Sequence, residues 1–360
     1  MKVRRKIELI IISVVIALIS SCGEKFDLTG IETGDGNVNI GGDTLFIQVN
    51  PVWEGFNNPQ YVMVGREPFI YVADTDNNRI VLMNLDGQIL GVRSVQKPVA
   101  IAQDYKLNLF VCARFDTLGT SYSAVYKYDL VSVNHNIELA PEKRILPRPS
   151  DFTQPLRQYT GIAVFYDNRY LITRTGPNNS NLIDPDNSIL IFIQKKLSNG
   201  NTRDTLIGRV PLFDPQGTGI LSANQLSSIT SYNSRNYNMI TTLIGENSFR
   251  VQPLEYIITP DFTGYHIAIP PYTADIMIPG TFSKPEGAAI DNAGNIYVAD
   301  AAKDSVYKFN SFGDLLIGFG GEEGFKFNQP YSVAFFDKTL YVADTGNNRI
   351  LRFILSTDIQ

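Results

Sequence analysis

The residue types best suited to proton transfer, nucleophilic attack or metal binding are scarce in this chain of 360 residues, which holds two His and two Cys. His135 (Val133-Asn134-His135) and His266 (Gly264-Tyr265-His266) sit in unlike settings. A catalytic zinc site usually takes three protein ligands, and two isolated imidazoles do not supply them. The densest acidic segment, Asp184-Pro185-Asp186-Asn187, offers the hard oxygens that calcium prefers. Asp, Asn and Pro also build tight turns, so a solvated turn is the simpler expectation there. Gly-x-Ser-x-Gly is absent, and no Gly-rich phosphate loop leads from a strand into a helix. Cys112 lies in the apolar run Leu109-Phe110-Val111-Cys112-Ala113 and is expected to be a buried, inert thiol. No catalytic residue and no metal ligand is assigned on these grounds.

What positions the remaining polar groups is a repeat. Three segments are close copies: Ile70-Tyr71-Val72-Ala73-Asp74-Thr75-Asp76-Asn77-Asn78-Arg79-Ile80, Ile296-Tyr297-Val298-Ala299-Asp300-Ala301-Ala302-Lys303-Asp304-Ser305-Val306, and Leu340-Tyr341-Val342-Ala343-Asp344-Thr345-Gly346-Asn347-Asn348-Arg349-Ile350. Each reads as strand, tight polar turn, strand. The step from Asp300 to Asp344 matches one four-stranded blade of about 40–45 residues. A Pro-led segment precedes each copy, at Pro59, Pro285 and Pro330, and small residues dominate the latter two. An innermost strand crowded near a central axis would demand that.

Weaker copies fill the middle. Pro98–Ala102, Leu109–Ala113 and Ala124–Tyr128 make one unit; Thr160–Val164, Tyr170–Thr173 and Ile189–Phe192 make another. A degenerate unit spans 226–270, with strands expected near 237–243, 253–259 and 264–269. The sum is six units, an all-β, six-bladed propeller of four-stranded antiparallel blades. After Ile350-Leu351-Arg352-Phe353 too little chain is left for an outer strand. Residues 44–49 (Thr-Leu-Phe-Ile-Gln-Val) are expected to supply it and close the ring.

The repeats resemble the NHL family, with its Pro- or Gly-led inner strand, "YVAD" strand and Asn-x-Arg turn. The match is strong at 59–83 and 326–354. At 284–320 it is good, with Asp304-Ser305 where Asn-Arg is expected. The resemblance implies that Asp74 with Arg79, and Asp344 with Arg349, pair across their turns as structural elements, in company with Asn78, Asp300 and Asn348. Related propellers include lyases and lactonases, which implies an alternative: a metal-assisted enzyme with its site, in the lactonase case a calcium ion, on the central axis. No other cofactor is expected.

The amino terminus reads as an export signal. Lys2, Arg4, Arg5 and Lys6 precede the apolar run 9–19, then Ile19-Ser20-Ser21-Cys22. The last four residues resemble the lipobox of bacterial lipoproteins, which implies a signal peptide over 1–21 and lipid on Cys22. Residues 22–43 are Gly-rich and acidic without a sustained period, as expected of a flexible tether, and 44–360 form the propeller. Removing residues 1–21 turns 31 cations and 36 anions into 27 and 35, a net charge of −8. No Lys/Arg cluster remains to grip phosphates, so nucleic acid is not an expected partner. The Cys-Gly-Glu-Lys-Phe-Asp start resembles lipoproteins of Bacteroidota, which implies the outer membrane.

Four long segments (114–123, 145–159, 174–187 and 211–225) fall between second and third strands, or between one blade and the next. Such connections share one face of a propeller. They are expected to raise a crescent holding Arg114, Phe115, Tyr122, Phe152, Arg157, Arg174, Leu182 and Phe213, an aromatic and Arg mixture suited to protein contact. The function expected is a non-enzymatic envelope module that docks a protein or glycan partner on this face.

Overall fold

The computed structural model describes residues 45–198, 200, 202–321 and 325–358. Cys22, the signal segment and the tether lie outside the described residues. The described residues form six four-stranded antiparallel sheets. The innermost strands are Pro59–Val64, Ala100–Gln103, Gln158–Val164, Leu226–Ser231, Pro285–Ile290 and Pro330–Phe336. Each packs against the innermost strands of both neighbours, and the sixth returns to the first, so the blades close a ring. We number the blades 1 to 6 in that order.

Packing lies between blades. Second strands such as Ile70–Asp74 and Ile296–Asp300 are buried along their whole length, because both faces of a blade are covered. Period-2 alternation then divides the side chains. Tyr71 and Ala73 join the cluster shared with blade 2, while Ile70 and Val72 join the one shared with blade 6. Six hydrophobic clusters result, one at each seam. Cys112 is a fully buried member of the seam between blades 2 and 3, and burial pushes its thiol pKa up, as an inert thiol requires.

The ring closes as the leftover strand predicts, over a longer stretch. Phe46–Trp53 pairs antiparallel with Arg349–Leu355, from Phe46 opposite Leu355 to Trp53 opposite Ile350. Crowding at the axis explains the small inner residues. A Cβ on Gly287 would lie 2.7 Å from the Tyr331 carbonyl oxygen of the next blade, and one on Gly161 would lie 3.0 Å from the Ile229 nitrogen.

The long segments are more ordered than loops. Residues 114–123 are the extended end of a hairpin, Asn108–Thr117 paired with Thr120–Asp129. In the degenerate blade 4 the strands are Met239–Leu243, Val251–Ile258 and Thr263–Ile267. A fifth long connection, residues 268–284 between blades 4 and 5, has no counterpart among the expected insertions. It buries Ile276 and Met277 in the seam between those blades.

Candidate functional site

The turn motif is structural. Asp74 is fully buried and accepts from Asn57 N (2.7 Å), Asn77 Nδ2 (2.9 Å) and Arg79 Nε (2.6 Å). Asp344 repeats this with Asn328 N (2.8 Å), Asn347 Nδ2 (2.9 Å) and Arg349 Nε (2.7 Å). Asp300 lacks the Arg and takes main-chain donors instead, Ser283 N at 2.6 Å and Lys284 N at 2.8 Å. The next turn residue clasps the following blade. Asn78 accepts from Lys97 N (3.0 Å), Asn348 from Asn58 N (2.7 Å) and Asp304 from Gln329 N (2.7 Å). All three have positive φ (52°, 57° and 46°), which Asn and Asp tolerate. Asp304 thus fills the Asn position of the repeat with the same oxygen contact.

The insertions of blades 2 to 4 are braced together. Phe152 packs on Tyr122 (5.0 Å, edge-on) and near Phe115 (6.4 Å), whose ring carries the Arg144 guanidinium at 3.7 Å. Arg157 reaches Asp186 (2.6 Å) and Asp184 (2.8 Å); Arg174, 1% exposed, reaches Asp184 (2.6 Å) and the Pro185 carbonyl (2.6 Å). Asn187 donates to Pro215 O at 2.8 Å, tying the next segment in. The acidic turn is therefore occupied by two guanidinium groups. Desolvation alone would raise the Asp184 carboxyl, but hydrogen bonds and charge from Arg174 and Arg157 outweigh it and hold the pKa below the ordinary carboxylate range.

Geometry sorts the eight expected contact residues. Arg157, Arg174 and Phe213 are buried and hold the crescent from within, which removes them from the docking set. Arg157 is drawn inward by Asp184 and Asp186, Arg174 by Asp184 and the Pro185 carbonyl on its own connection, and Phe213 by the apolar seam between blades 3 and 4. Arg114 lines the axial cavity described below. Phe115, Tyr122 and Phe152 form the aromatic brace. Leu182 alone is strongly exposed, at 88%. It belongs to a set that the sequence pattern did not single out: Leu118 at the hairpin tip, Leu156, Ile183 and Leu212 are also exposed aliphatics, spread over all four insertions.

The insertions also wall one side of a cavity at the axis. Five inner strands carry a register irregularity at the same place, leaving Gln60, Thr160, Ser227, Glu286 and Tyr331 as the extra residues. A bulge re-aims its side chain, and all five line a cavity of about 940 Å³ on the insertion-bearing face. Within it the Lys284 ammonium lies 2.8 Å from the Glu286 carboxylate, whose side chain is only 10% exposed, and 5.4 Å from the centroid of the Tyr331 ring. Burial pushes the Glu286 pKa up, and Lys284 offsets part of that rise. Ser228 Oγ is buried at the cavity wall without a protein hydrogen-bond partner. A second cavity of about 560 Å³ opens at the other mouth, lined by Arg66, Gln103, Asp291 and Phe335 among others.

Glu286 escaped the sequence reading. Its signal is that it alone carries a carboxylate at the position after the leading Pro, where Gln60, Val99 and Tyr331 stand in other blades. His135 and His266 line neither mouth; they pair with Glu67 (3.2 Å) and Glu255 (3.3 Å). Among the described residues no group of three or more His, Cys, Asp or Glu is placed to hold a metal ion.

No protein-family model matches the chain, and no curated protein matches it. Solved structures match its fold. A protein of unknown function from Bacteroides thetaiotaomicron is 17% identical (TM-score 0.53), covering 86% of this chain and 73% of that one. An auxiliary nutrient binding protein from the same organism is 11% identical (TM-score 0.54), covering 84% and 70%. The calcium-binding protein regucalcin from Agrobacterium tumefaciens is 11% identical (TM-score 0.51), covering 84% and 93%. The class is thus defined: an all-β, six-bladed propeller. At these identities the likeness extends to the fold and no further.

Proposed function

We propose that the chain is a non-enzymatic NHL-repeat lipoprotein of the bacterial outer membrane, held by lipid on Cys22, that docks a protein partner on its insertion-bearing face. One observation carries the docking reading. Leu118, Leu156, Leu182, Ile183 and Leu212 stand exposed on four segments that are themselves braced by buried Arg–Asp pairs and edge-on aromatic rings. Exposed apolar groups cost little when isolated, but a set mounted on one rigid crest is the arrangement of an interaction surface. Rigid presentation also lowers the ordering cost of association.

The test is in-cell crosslinking followed by purification from detergent-solubilised membranes, comparing wild type with the triple variant Leu118→Asp, Leu182→Asp, Leu212→Asp. The partner captured by wild type should be lost from the variant while the thermal melt stays unchanged. An identical partner set in both would overturn the docking reading. Cys22→Ser should move the protein from the membrane fraction to the soluble one, since stable residence needs more than one acyl chain and all of them ride on that residue.

A further inference from the structure

We infer that the axial cavity on the insertion-bearing face is a binding site for a neutral saccharide, gripped by the Glu286 carboxylate and Lys284 ammonium across one vicinal diol. This inference does not rest on the docking reading. Its volume of about 940 Å³ falls within the size class of small-molecule sites, about 300–1,000 Å³.

The charge balance of the lining selects against ions. Of the three cations of the cavity, Lys97 and Lys284 are matched within it by Asp76 at 2.9 Å and Glu286 at 2.8 Å, and Arg114 has the Asp116 carboxylate of its own hairpin close enough to lower that carboxyl's pKa. A phosphate or a dicarboxylate would meet little net positive field and would lose its hydration for little return. A zwitterionic amino acid would have to prise the Lys284–Glu286 pair apart to use each half. A vicinal diol does not. Its two oxygens stand about one hydrogen-bond length apart. One hydroxyl can donate to the carboxylate while its neighbour accepts from the ammonium, with the pair left intact.

The rest of the wall fits the same chemistry. Gln60 adds an amide on the bulge ring. Tyr331, half-buried, supplies aromatic surface for the C–H face of a pyranose.

The experiment is saturation-transfer NMR on the full-length protein in a non-glycosidic detergent. The probes are D-glucose, D-mannose, D-galactose and their 1,4-linked disaccharides, with glycine, inorganic phosphate and a fully O-methylated glucoside as comparators. At least one free saccharide should receive saturation, and the O-methylated sugar should not. Glu286→Gln and Gln60→Ala should each weaken that saccharide, Glu286→Gln by about tenfold or more because a charge-assisted bond is lost. Gln60→Ala should keep the wild-type melting temperature, because the side chain is half-buried at the cavity surface. Leu182→Asp, on the crest, should bind the sugar as wild type does, so failure of docking and failure of this site are separable. Silence across the saccharide panel from folded wild type, binding of glycine or phosphate instead, or undiminished binding by both cavity variants would overturn the inference.

Discussion

Blades 5, 6 and 1 join to their successors by a repeated device, whereas blades 2, 3 and 4 join by means peculiar to each. In the first half, a turn Asp is buried and a positive-φ Asn or Asp clasps the next blade, as at Asn78, Asp304 and Asn348. In the second half, Ser123 accepts from Tyr159 N (2.9 Å), and Thr160 donates to Leu226 O (2.8 Å). Asn187 adds its bond to the 211–225 segment. The hydrophobic seams are alike in both halves. The motif is therefore one way to finish a seam whose burial already specifies it. Where it is absent, the chain is free to extend, and there the crest and one wall of the cavity are built.

This contrast can be broken by mutation, from large effects to small. Asp344→Ala should cost about 3–4 kcal/mol, because it strands Arg349, Asn347 and the Asn328 N–H around a fully buried site. Urea unfolding measures it. An equal loss in the crest variants would erase the distinction between halves. Gly287→Ala should cost about 1–3 kcal/mol, since its Cβ would meet backbone at 2.7 Å. Gly161→Ala, at 3.0 Å, should cost less by the same assay.

Acid should act on the insertion half with a definite sign. The Asp184 pKa is depressed in the fold, so its stabilisation is complete above the ordinary carboxylate pKa of about 4 and is lost as pH falls through the folded value. The urea midpoint of Asp184→Asn should therefore fall less on acidification than that of wild type. Glu286 carries the opposite sign. Its pKa is raised, so its effect favours the fold below the ordinary range and is lost as pH rises through the raised value. Glu286→Gln should gain stability relative to wild type towards neutral pH. The smallest stability change belongs to Leu182→Asp, within about 0.5 kcal/mol because the side chain is exposed, and the same melts check it.

The blades were legible because period-2 burial and the turn residues leave local traces, and because a last blade short of one strand requires an earlier one. The site was less legible, for two physical reasons. The cavity ring depends on bulges, and a one-residue register shift at Pro285-Glu286-Gly287 has no marker beyond the Pro and Gly themselves. The fate of Arg157 and Arg174 depends on Asp184 and Asp186, which arrive from across a folded connection. Sequence showed Arg and aromatic residues in the insertions and took them for contact groups. Folding spent them on the brace and left the leucines outside.

The closing strand has a mechanical consequence. The chain enters the described disc at Leu45, whose N–H donates to Ser356 Oγ (3.0 Å) and whose carbonyl accepts from Ser356 N (2.8 Å), on the outer rim of blade 6. In a ring of six, blade 6 lies across from blade 3, the centre of the crest. If Cys22 carries lipid, as proposed above, the disc would be held by one edge and the crest would lie towards the opposite edge. Under that proposal, a pull on a docked partner would return to the anchor by two routes, the antiparallel ladder between Phe46–Trp53 and Arg349–Leu355 and the backbone that runs on from Trp53 into the inner strand of blade 1.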